Sequence, residues 1–509
     1  MRSQADADAD TAFFRELLAD DPDLVSVRVD LAGALLAAGE PEAAIAEATG
    51  ALARDPASVP AWLVRATARK ALGDVAEACA DFQRAAWLAP ERPMILVNLA
   101  HGCAELSRLD EAERHLRLAV ALAPDCAEAH SSLGSVLVRR DRLAEAEAPC
   151  RAALALDPRL IAPHQNLSAI LAATDPDAAR VHRDAAYHRR QIFVDAAARP
   201  ERSVLVLTAA SAASVPLQHL LARDRVTRIF WYVDYATADQ DRALPPHDLV
   251  FNGIGDPDLA PVAPPALERL LRTAARPLLN DPARIARTRR SDLPGLLAGL
   301  PGVVVPPVIR HAGPLPALPS GFSYPVLTRP VGSHGGERVR LVADAAGLPD
   351  APEATHYVTQ FVDTVSRDGW YRKYRMILVD RRPYPWHLAV SRHWLVHYVS
   401  AGMECDPARR REDERFLADP EAALGPGAMA ALRAIGGRLD LDYAGIDFAL
   451  LPDGRILVFE ANATMLVHPE PDPRFAYRDP AFRAIRAAFA AMLDARMLDA
   501  RVGGRGPPG

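Results

Sequence analysis

Nowhere in the 509 residues does an uninterrupted apolar run reach the roughly eighteen needed to cross a bilayer, so no membrane partner is expected. Neither sign of charge dominates. The 59 Lys and Arg face 65 Asp and Glu, a net charge of −6, which gives no reason to expect nucleic acid or an anionic membrane as principal partner. Cysteine is scarce and odd in number: Cys79, Cys103, Cys126, Cys150 and Cys405, with no Cys-x-x-Cys. Neither a disulfide framework nor a thiolate metal site follows from that spacing, and the first four, lying in helical patterns, read as small buried hydrophobes. No Gly-x-Ser-x-Gly or Cys/His arrangement offers a nucleophile. The segment Met1–Asp10 is acidic and lacks an apolar signal core, which makes cytoplasmic residence the expectation. What remains is an ordinary globular composition, 50% apolar and 24% charged, long enough for about three domains.

The first regularity is a period. Pro22, Pro56, Pro90, Pro124 and Pro158 each follow the last by 34 residues. Aligned on them, Ala32, Ala66, Ala100 and Gly134 fall where two helices must approach closely. Ala44, Ala78, Ala112 and Ala146 form a second small column, and Ala51, Ala85, Ala119 and Ala153 a third. Leu31, Leu99, Leu133, Trp62, Phe82 and Leu116 take the larger packing positions. Gly39, Gly73, Ser107 and Asp141 occupy the turn inside each unit. This pattern resembles the tetratricopeptide repeat family over 25–158. A degenerate fifth unit, Ile161 to Arg190, would cap the array, and residues 1–198 are expected to belong to it. The resemblance implies a concave surface holding a peptide or protein segment. Asn98 and Asn166 stand where family members contact a bound backbone, although water-facing asparagines fit the pattern equally. Dimerisation through the repeats stays open as well.

After Arg199-Pro200 the period changes. Short apolar runs at Ser203–Thr208, Arg228–Asp234 and Leu249–Asn252, with helices expected at Val215–Ala222 and Ala266–Ala275, predict a small parallel sheet over 203–282. The loop after the first strand has no Gly-x-Gly-x-x-Gly, so no dinucleotide site is expected; it could face a substrate or belong to an inert cover. An Asn280-Asp281-Pro282 start then predicts an arginine-rich helix carrying Arg284, Arg287, Arg289 and Arg290.

The chemistry concentrates further on. Tyr324–Thr328 reads as a strand leading through Arg329 into Gly332-Ser333-His334-Gly335-Gly336, a glycine loop whose amides can close on an anion beside a cation. Tyr357–Val362 reads as another strand. Tyr371–Val379 and Pro385–Val390 form a hairpin that places Lys373 and Arg375 on one face. Ile446–Asn462 is a second hairpin about Pro452-Asp453-Gly454-Arg455. A turn centred between Asp453 and Gly454 puts Asp447 opposite Glu460, with Asn462 on the same face. Opposed carboxylates destabilise a sheet unless a cation lies between them, and hard oxygens suit magnesium. The other outward positions under that register, Ala449, Leu451, Ile456 and Val458, are apolar.

In this order the elements resemble the ATP-grasp superfamily over 203–492, closest to the branch of glutathione synthetase and the ribosomal-protein glutamate ligases. The fold class expected is therefore multidomain: an all-α tetratricopeptide superhelix, an α/β pre-ATP-grasp domain (203–282), an α+β ATP-grasp domain (283–498) and a disordered tail (502–509). The resemblance implies that Asp447, Glu460 and Asn462 hold Mg²⁺, or Mn²⁺, on the phosphates of ATP. It assigns Arg290, Arg329, Ser333, His334, Gly335 and Gly336 to the phosphates, and Gln360, Phe361, Val362 and Asp363 to the nucleoside. Arg375, Lys373 and Arg329 would serve the transfer itself. Arginines replace the family's usual phosphate lysines at Arg329 and Arg290, which keeps the charge but alters the geometry, and Lys373 stands where an acidic residue is usual. The polar cluster His387, Arg392, His393 and His397, together with Arg375, is expected to meet substrate; the alternative is a polar hairpin with hydrogen-bonded histidines. The activity implied is ATP-dependent carboxylate–amine ligation through an acyl phosphate, on small-molecule or peptide substrates. The competing readings are an ATP-binding scaffold without catalysis and a phosphotransferase acting on a hydroxyl.

Overall fold

The computed structural model describes the chain except for residues 1–3, 211–213, 216, 261–263, 274–275, 334–335, 337, 350–354, 398–399, 471 and 504–509. It forms two units, 1–191 with 197–200, and 192–196 with 201–509.

In the first unit the 34-residue period becomes helix pairs of tetratricopeptide type. They are Val25–Ala37 with Pro41–Arg54, Val59–Ala71 with Val75–Leu88, Pro93–Glu105 with Leu109–Leu122, and Ala127–Arg139 with Leu143–Leu156. A fifth pair, Ile161–Leu171 with Pro176–Tyr187, follows, and Gln4–Asp20 precedes them. The small columns are where the helices meet: Ala32, Ala66, Ala100, Ala51, Ala85, Ala119 and Ala153 are wholly buried. A Cβ on Gly134 would stand 2.4 Å from the Cys150 sulfur, so nothing larger than glycine fits without displacing that side chain. Cys79, Cys103 and Cys150 are buried as expected, whereas Cys126 is only half-buried. Burial raises the Cys79 thiol to about 11, which suits a packing role rather than a reactive one.

The turns inside the first four pairs share one backbone solution. Gly39, Gly73, Ser107 and Asp141 all take positive φ (83°, 83°, 61° and 58°), the left-handed conformation that ends a helix and starts its partner. Only the glycines do so without steric cost.

The last helix of the array ends at Tyr187, and 197–200 still belong to the first unit. Ile192–Asp195 (β1) turns away to pair antiparallel with a strand of the second unit. Its sheet contains Arg202–Thr208 (β2), Val226–Tyr232 (β3), Leu249–Asn252 (β4) and Leu278–Leu279 (β5), in the order β1-β3-β2-β4-β5. All pairs but β1–β3 are parallel. The helix expected over 215–222 is reduced to a single 3₁₀ turn at Leu217–His219. The arginine-rich helix is only Pro282–Ala286, and Arg287, Arg289 and Arg290 lie beyond it.

Two further sheets follow. Val308–Ala312 (β7), Val326–Pro330 (β8), Arg340–Val342 (β9) and Thr355–Gln360 (β10) form an antiparallel sheet ordered β7-β10-β8-β9. Tyr371–Val379 (β11), Arg382–Ser391 (β12), Tyr443–Leu450 (β13), Ile456–Asn462 (β14) and the short Val303–Val304 (β6) form the other, ordered β12-β11-β13-β14-β6. Helices Pro407–Ala418 and Pro426–Leu439 cover one face of the latter through Phe416, Leu432 and Ile435 against Met376, Ile446 and Ile456. The final helix, Asp479–Gly503, packs Ile485 and Phe489 against Ile377 and Tyr443. It carries the chain into the stretch expected to be a disordered tail, of which 504–509 lie outside the described residues.

Asn280 ties the first sheet to the third. It is fully buried at φ 54°. Its Nδ2 donates to the Tyr443 carbonyl (2.9 Å), its Oδ1 accepts from the Tyr443 amide (2.8 Å), and its own amide donates to Asp442 (2.8 Å). The side chain thus continues the β13 ladder by one rung.

Two stability changes are expected. Ser107→Gly relieves the left-handed strain at one turn and should stabilise the repeats by about 0.5–1 kcal/mol in thermal or urea unfolding. Asn280→Ala strands two buried backbone groups and should cost about 2–4 kcal/mol in the unfolding of the second unit.

Candidate functional site

The acidic hairpin places its charges as expected, by a route the pattern did not reveal. Asp447 pairs with Glu460 and Gly445 with Asn462. Between Asp447 and Phe448 the register shifts, so that nearer the turn Phe448 faces Val458, Ala449 faces Leu457 and Leu450 faces Ile456. Phe459 is the extra residue of this bulge and is 39% exposed. The shift corrects the expected outward set. Ile456 and Val458 turn to the helix-covered core, and Leu457 rather than either shares the Asp447 side. One inserted residue reverses every side chain between it and the turn.

On the other flank Arg375 of β11 pairs directly with Asp447. The two form a bidentate ion pair, Nε–Oδ1 2.6 Å and Nη2–Oδ2 2.8 Å, and Lys373 Nζ reaches Oδ2 at 2.8 Å. Asp447 is completely buried. Burial alone would raise its pKa, but Arg375 and then Lys373 outweigh it and hold the carboxyl far below the usual range. Glu460 bonds to Arg290. Burial lowers the basicity of Arg290 and, with help from the Arg290 charge, brings Arg329 down to about 10. Both remain cations at neutral pH.

These groups line one cavity of about 220 Å³. Arg290, Arg329, Gly336, Gln360, Phe361, Val362, Lys373, Arg375, His397, Asp447 and Glu460, all singled out in the sequence, meet there. Val305, Pro306, Val308, Leu327, Leu395, Val396 and Leu457 add an apolar lining. Ser333 and Asn462 line a smaller neighbouring cavity that shares Arg290 and Arg329. There the Asn462 Oδ1 accepts from both the amide and the hydroxyl of Thr464 (2.9 and 2.8 Å). His334 and Gly335 lie outside the described residues.

Four expected contacts sit elsewhere. Asp363 is exposed and caps its own turn by accepting from the Val365 amide. His387 is 4% exposed and does not line the cavity, although it pairs directly with Arg375 across β11 and β12; burial first, then the Arg375 charge, lowers its pKa well below the usual histidine value. Arg392 lies 3.9 Å over the Trp370 ring. The exposed His393 accepts from the Leu395 amide and leans on Trp394. Of that polar cluster, His397 and Arg375 reach the cavity.

The sequence reading missed the loop after β4, Ile254-Gly255-Asp256-Pro257-Asp258, which borders Arg290 and Arg329. A signal was present, since polar loops at the carboxyl ends of parallel strands are where open α/β sheets bind ligands. Trp394, from the same polar and aromatic stretch as His393 and His397, also lines the cavity and meets Phe361 edge-on at 5.8 Å.

The lining holds five cations (Arg290, Arg329, Arg372, Lys373, Arg375) and two carboxylates (Asp447, Glu460); Arg372 is paired with Asp368 and Glu412 outside the cavity, and the other four leave a surplus of two positive charges among apolar side chains. Such a site suits a ligand with a flat apolar part and an anionic tail.

No protein-family model and no curated protein matches the chain. Several solved structures are similar to part of it. YrrB, described as a TPR protein with an unusual peptide-binding site, matches at 21% identity over 35% of this chain and 92% of its own, with a TM-score of 0.31. MamA matches at 20% identity over 30% and 91%, TM-score 0.29. PilF of Pseudomonas aeruginosa matches at 21% identity over 32% and 74%, TM-score 0.30. At such values these likenesses carry no inference about function.

The clamp on Asp447 is open to a direct stability test. Asp447→Ala leaves Arg375 and Lys373 without their buried counter-charge and should cost about 3–5 kcal/mol in denaturant unfolding. Glu460→Gln, at a partly exposed pair, should cost about 1 kcal/mol.

Proposed function

We propose that the second unit is an ATP-dependent carboxylate–amine ligase of the ATP-grasp kind. The observation that carries this reading is a single cavity lined by apolar side chains, by the Gln360–Val362 strand end, and by two opposed carboxylates with an excess of cations. Adenine fits among the apolar side chains, edged by the strand end after β10, and the triphosphate fits the surplus positive charge. Arg290 and Arg329 then take phosphate oxygens. Arg375 and Lys373 divide their hydrogen bonds between Asp447 and the group being transferred, neutralising charge as the substrate carboxylate attacks the γ-phosphorus. Holding the reactants in line supplies much of the remaining acceleration, so no nucleophilic side chain is needed.

The donor chemistry fits magnesium. Asp447 and Glu460 offer hard carboxylate oxygens from adjacent strands, and Asn462 follows one step along, its amide oxygen shared with Thr464. Two carboxylates and an amide oxygen would leave magnesium to complete its shell with waters and phosphates. Bound there, the ion would offset phosphate charge.

For the first unit the reading is a peptide- or protein-binding array that presents a substrate or partner. Asn166 already donates to the Ser135 hydroxyl at 2.9 Å, and His101 meets Ser132 at 2.8 Å. A polar track thus runs along neighbouring first helices of the pairs.

One observation favours a second reading, an ATP-binding scaffold without turnover: both oxygens of Asp447 are already bonded to cations. Incubating the full chain with Mg·ATP, cell extract and candidate peptides, and following ADP, phosphate and product mass, separates the readings. Release of ADP and phosphate with an amide-forming mass gain is the expected outcome. A phosphate-sized mass gain would instead indicate a kinase, and nucleotide binding without turnover the scaffold. In the same assay Glu460→Gln should lower turnover at least about 100-fold, with the helical circular dichroism of the repeats unchanged. Full activity in that variant would remove the metal assignment.

A further inference from the structure

The last helix pair of the repeats, Ile161–Leu171 with Pro176–Tyr187, is bridged by two histidines. His164 of the first helix and His182 of the second, both half-buried, meet Nδ1 to Nδ1 at 2.8 Å. Their ring centroids lie 5.1 Å apart, so the facing nitrogens stand close to the line between the rings. That is the head-on approach of a donor to a lone pair. A metal shared by both rings would need the lone pairs to converge beside that line. The bridge therefore takes one hydrogen between its nitrogens, and a second has no place there.

The tautomers follow from what else the rings touch. Residues 62, 130 and 164 share one place in the 34-residue period. Trp62 Nε1 donates to the Pro56 carbonyl (2.9 Å), His130 Nε2 to the Pro124 carbonyl (2.9 Å), and His164 Nε2 to the Pro158 carbonyl (3.3 Å). A carbonyl only accepts, so His164 carries its hydrogen on Nε2 and presents a bare Nδ1. His182 must then donate from Nδ1, and its Nε2 is the first nitrogen open to a proton. Uptake there leaves the bridge standing. A further proton can go only to His164 Nδ1, where it meets the His182 hydrogen and sets two cationic rings face to face. The charged neighbours oppose both steps. Burial is the leading cause of a lowered pKa at each ring; Arg189 adds to it at His164, and the His164 ring and then Arg151 of the preceding pair add to it at His182.

We propose that this bridge is a pH-sensitive latch on the end of the array, closed while one hydrogen lies between the two rings and open once both rings are fully protonated. The sign follows from proton linkage. Opening returns both histidines to the ordinary value of 6.5, so the open form binds more protons than the closed one. Closure is then complete above about pH 7 and weakens as pH falls below the ordinary histidine value. The apolar core beneath the latch is small, with Cys150, Leu167, Leu171 and Ala179 as its buried members, which leaves the bridge a sizeable share of what holds Pro176–Tyr187 in place. Asn166, on the same helix as His164, donates to Ser135 of the preceding pair, so opening also loosens one end of the polar track. The latch is independent of the chemistry of the second unit.

Hydrogen exchange of the full chain, read by mass spectrometry between about pH 7.5 and pH 5 with the intrinsic exchange rates divided out, tests this. From pH 6 to pH 5 the opening of segment 161–187 should rise at least about fivefold, while that of 59–88, an interior pair without histidine, changes less than about twofold. Glutamine at either position can donate or accept by turning its amide, and it takes up no proton. His182→Gln should therefore cut the rise in 161–187 to about half or less, and the double variant His164→Gln with His182→Gln to about twofold or less. If the double variant loses helicity at neutral pH, the single variant decides by its own threshold. An equal rise in both segments of the unaltered protein overturns the latch, as does a variant that keeps the full rise.

Discussion

A carboxylate sealed from water and held by two cations is the constraint around which the second unit is arranged. Asp447 has no exposed surface, and an ionised carboxylate in that position is tolerable only while Arg375 and Lys373 stay bonded to it. That requirement fixes the register of three strands at once. Lys373 and Arg375 must be two residues apart on one face of β11, Arg375 must stand opposite Asp447, and Glu460 must come level on the third strand. Two bulges occur at this same level of the sheet, one between Arg375 and Met376 against β12 and one between Asp447 and Phe448 against β14. Extra residues there bend and twist the strands locally, which aims a charged row into a cavity while the remainder of each strand stays in the core.

The two units draw stability from different ranges of the chain. In the repeats each contact is with a neighbouring helix, and alanine and glycine columns let the helices close on one another, so a substitution is felt within one or two units. The second unit depends on contacts that span much of its length. Asn280 completes a strand that begins 163 residues later, and Gly255 is pressed against Ala463. Arg478, Tyr477 and the Leu388 amide converge on the fully buried Asp413. Long-range closures of this kind are costly in chain entropy before they return anything.

This difference explains what was legible in the sequence. A period of 34 is a local signal repeated five times, and even the left-handed turn positions followed from aligning the prolines. The opposition of Asp447 and Glu460 was legible because a tight turn lies a few residues away. Yet the uniform register that located it was wrong nearer the turn, since a bulge inserts no distinctive residue type and Phe459 reads like any strand aromatic. The β1 strand was invisible because four residues after a helical repeat carry no pattern of their own; only the edge of β3 makes them a strand. His387, Arg392 and His393 look like a site by density, but spacing does not show that His387 is sealed beside Arg375 on an edge strand or that β12 ends at Ser391, before Arg392 and His393. The loop at Asp256–Asp258 was readable in principle, through its place at the end of a parallel strand, and was passed over because charge there lacked a motif.

The self-paired state of the cations bears on how such a site could work. Arg375 and Lys373 both spend hydrogen bonds on Asp447, and Arg290 on Glu460. An incoming polyanion therefore competes with carboxylates that are already in place. A guanidinium has five donors in a planar fork and can serve a carboxylate with two while offering others to a phosphate; an ammonium has three and no preferred plane. Under the proposed reading, arginine at positions 290 and 375 would let one side chain bridge resident carboxylate and phosphate without leaving either, while Arg329 is held by Ser333. The lone lysine, Lys373, shares the Asp447 Oδ2 with Arg375 and is the cation whose departure costs the buried carboxylate least. Under the proposed ligase reading it would be the group freest to follow charge, with the arginines as the frame.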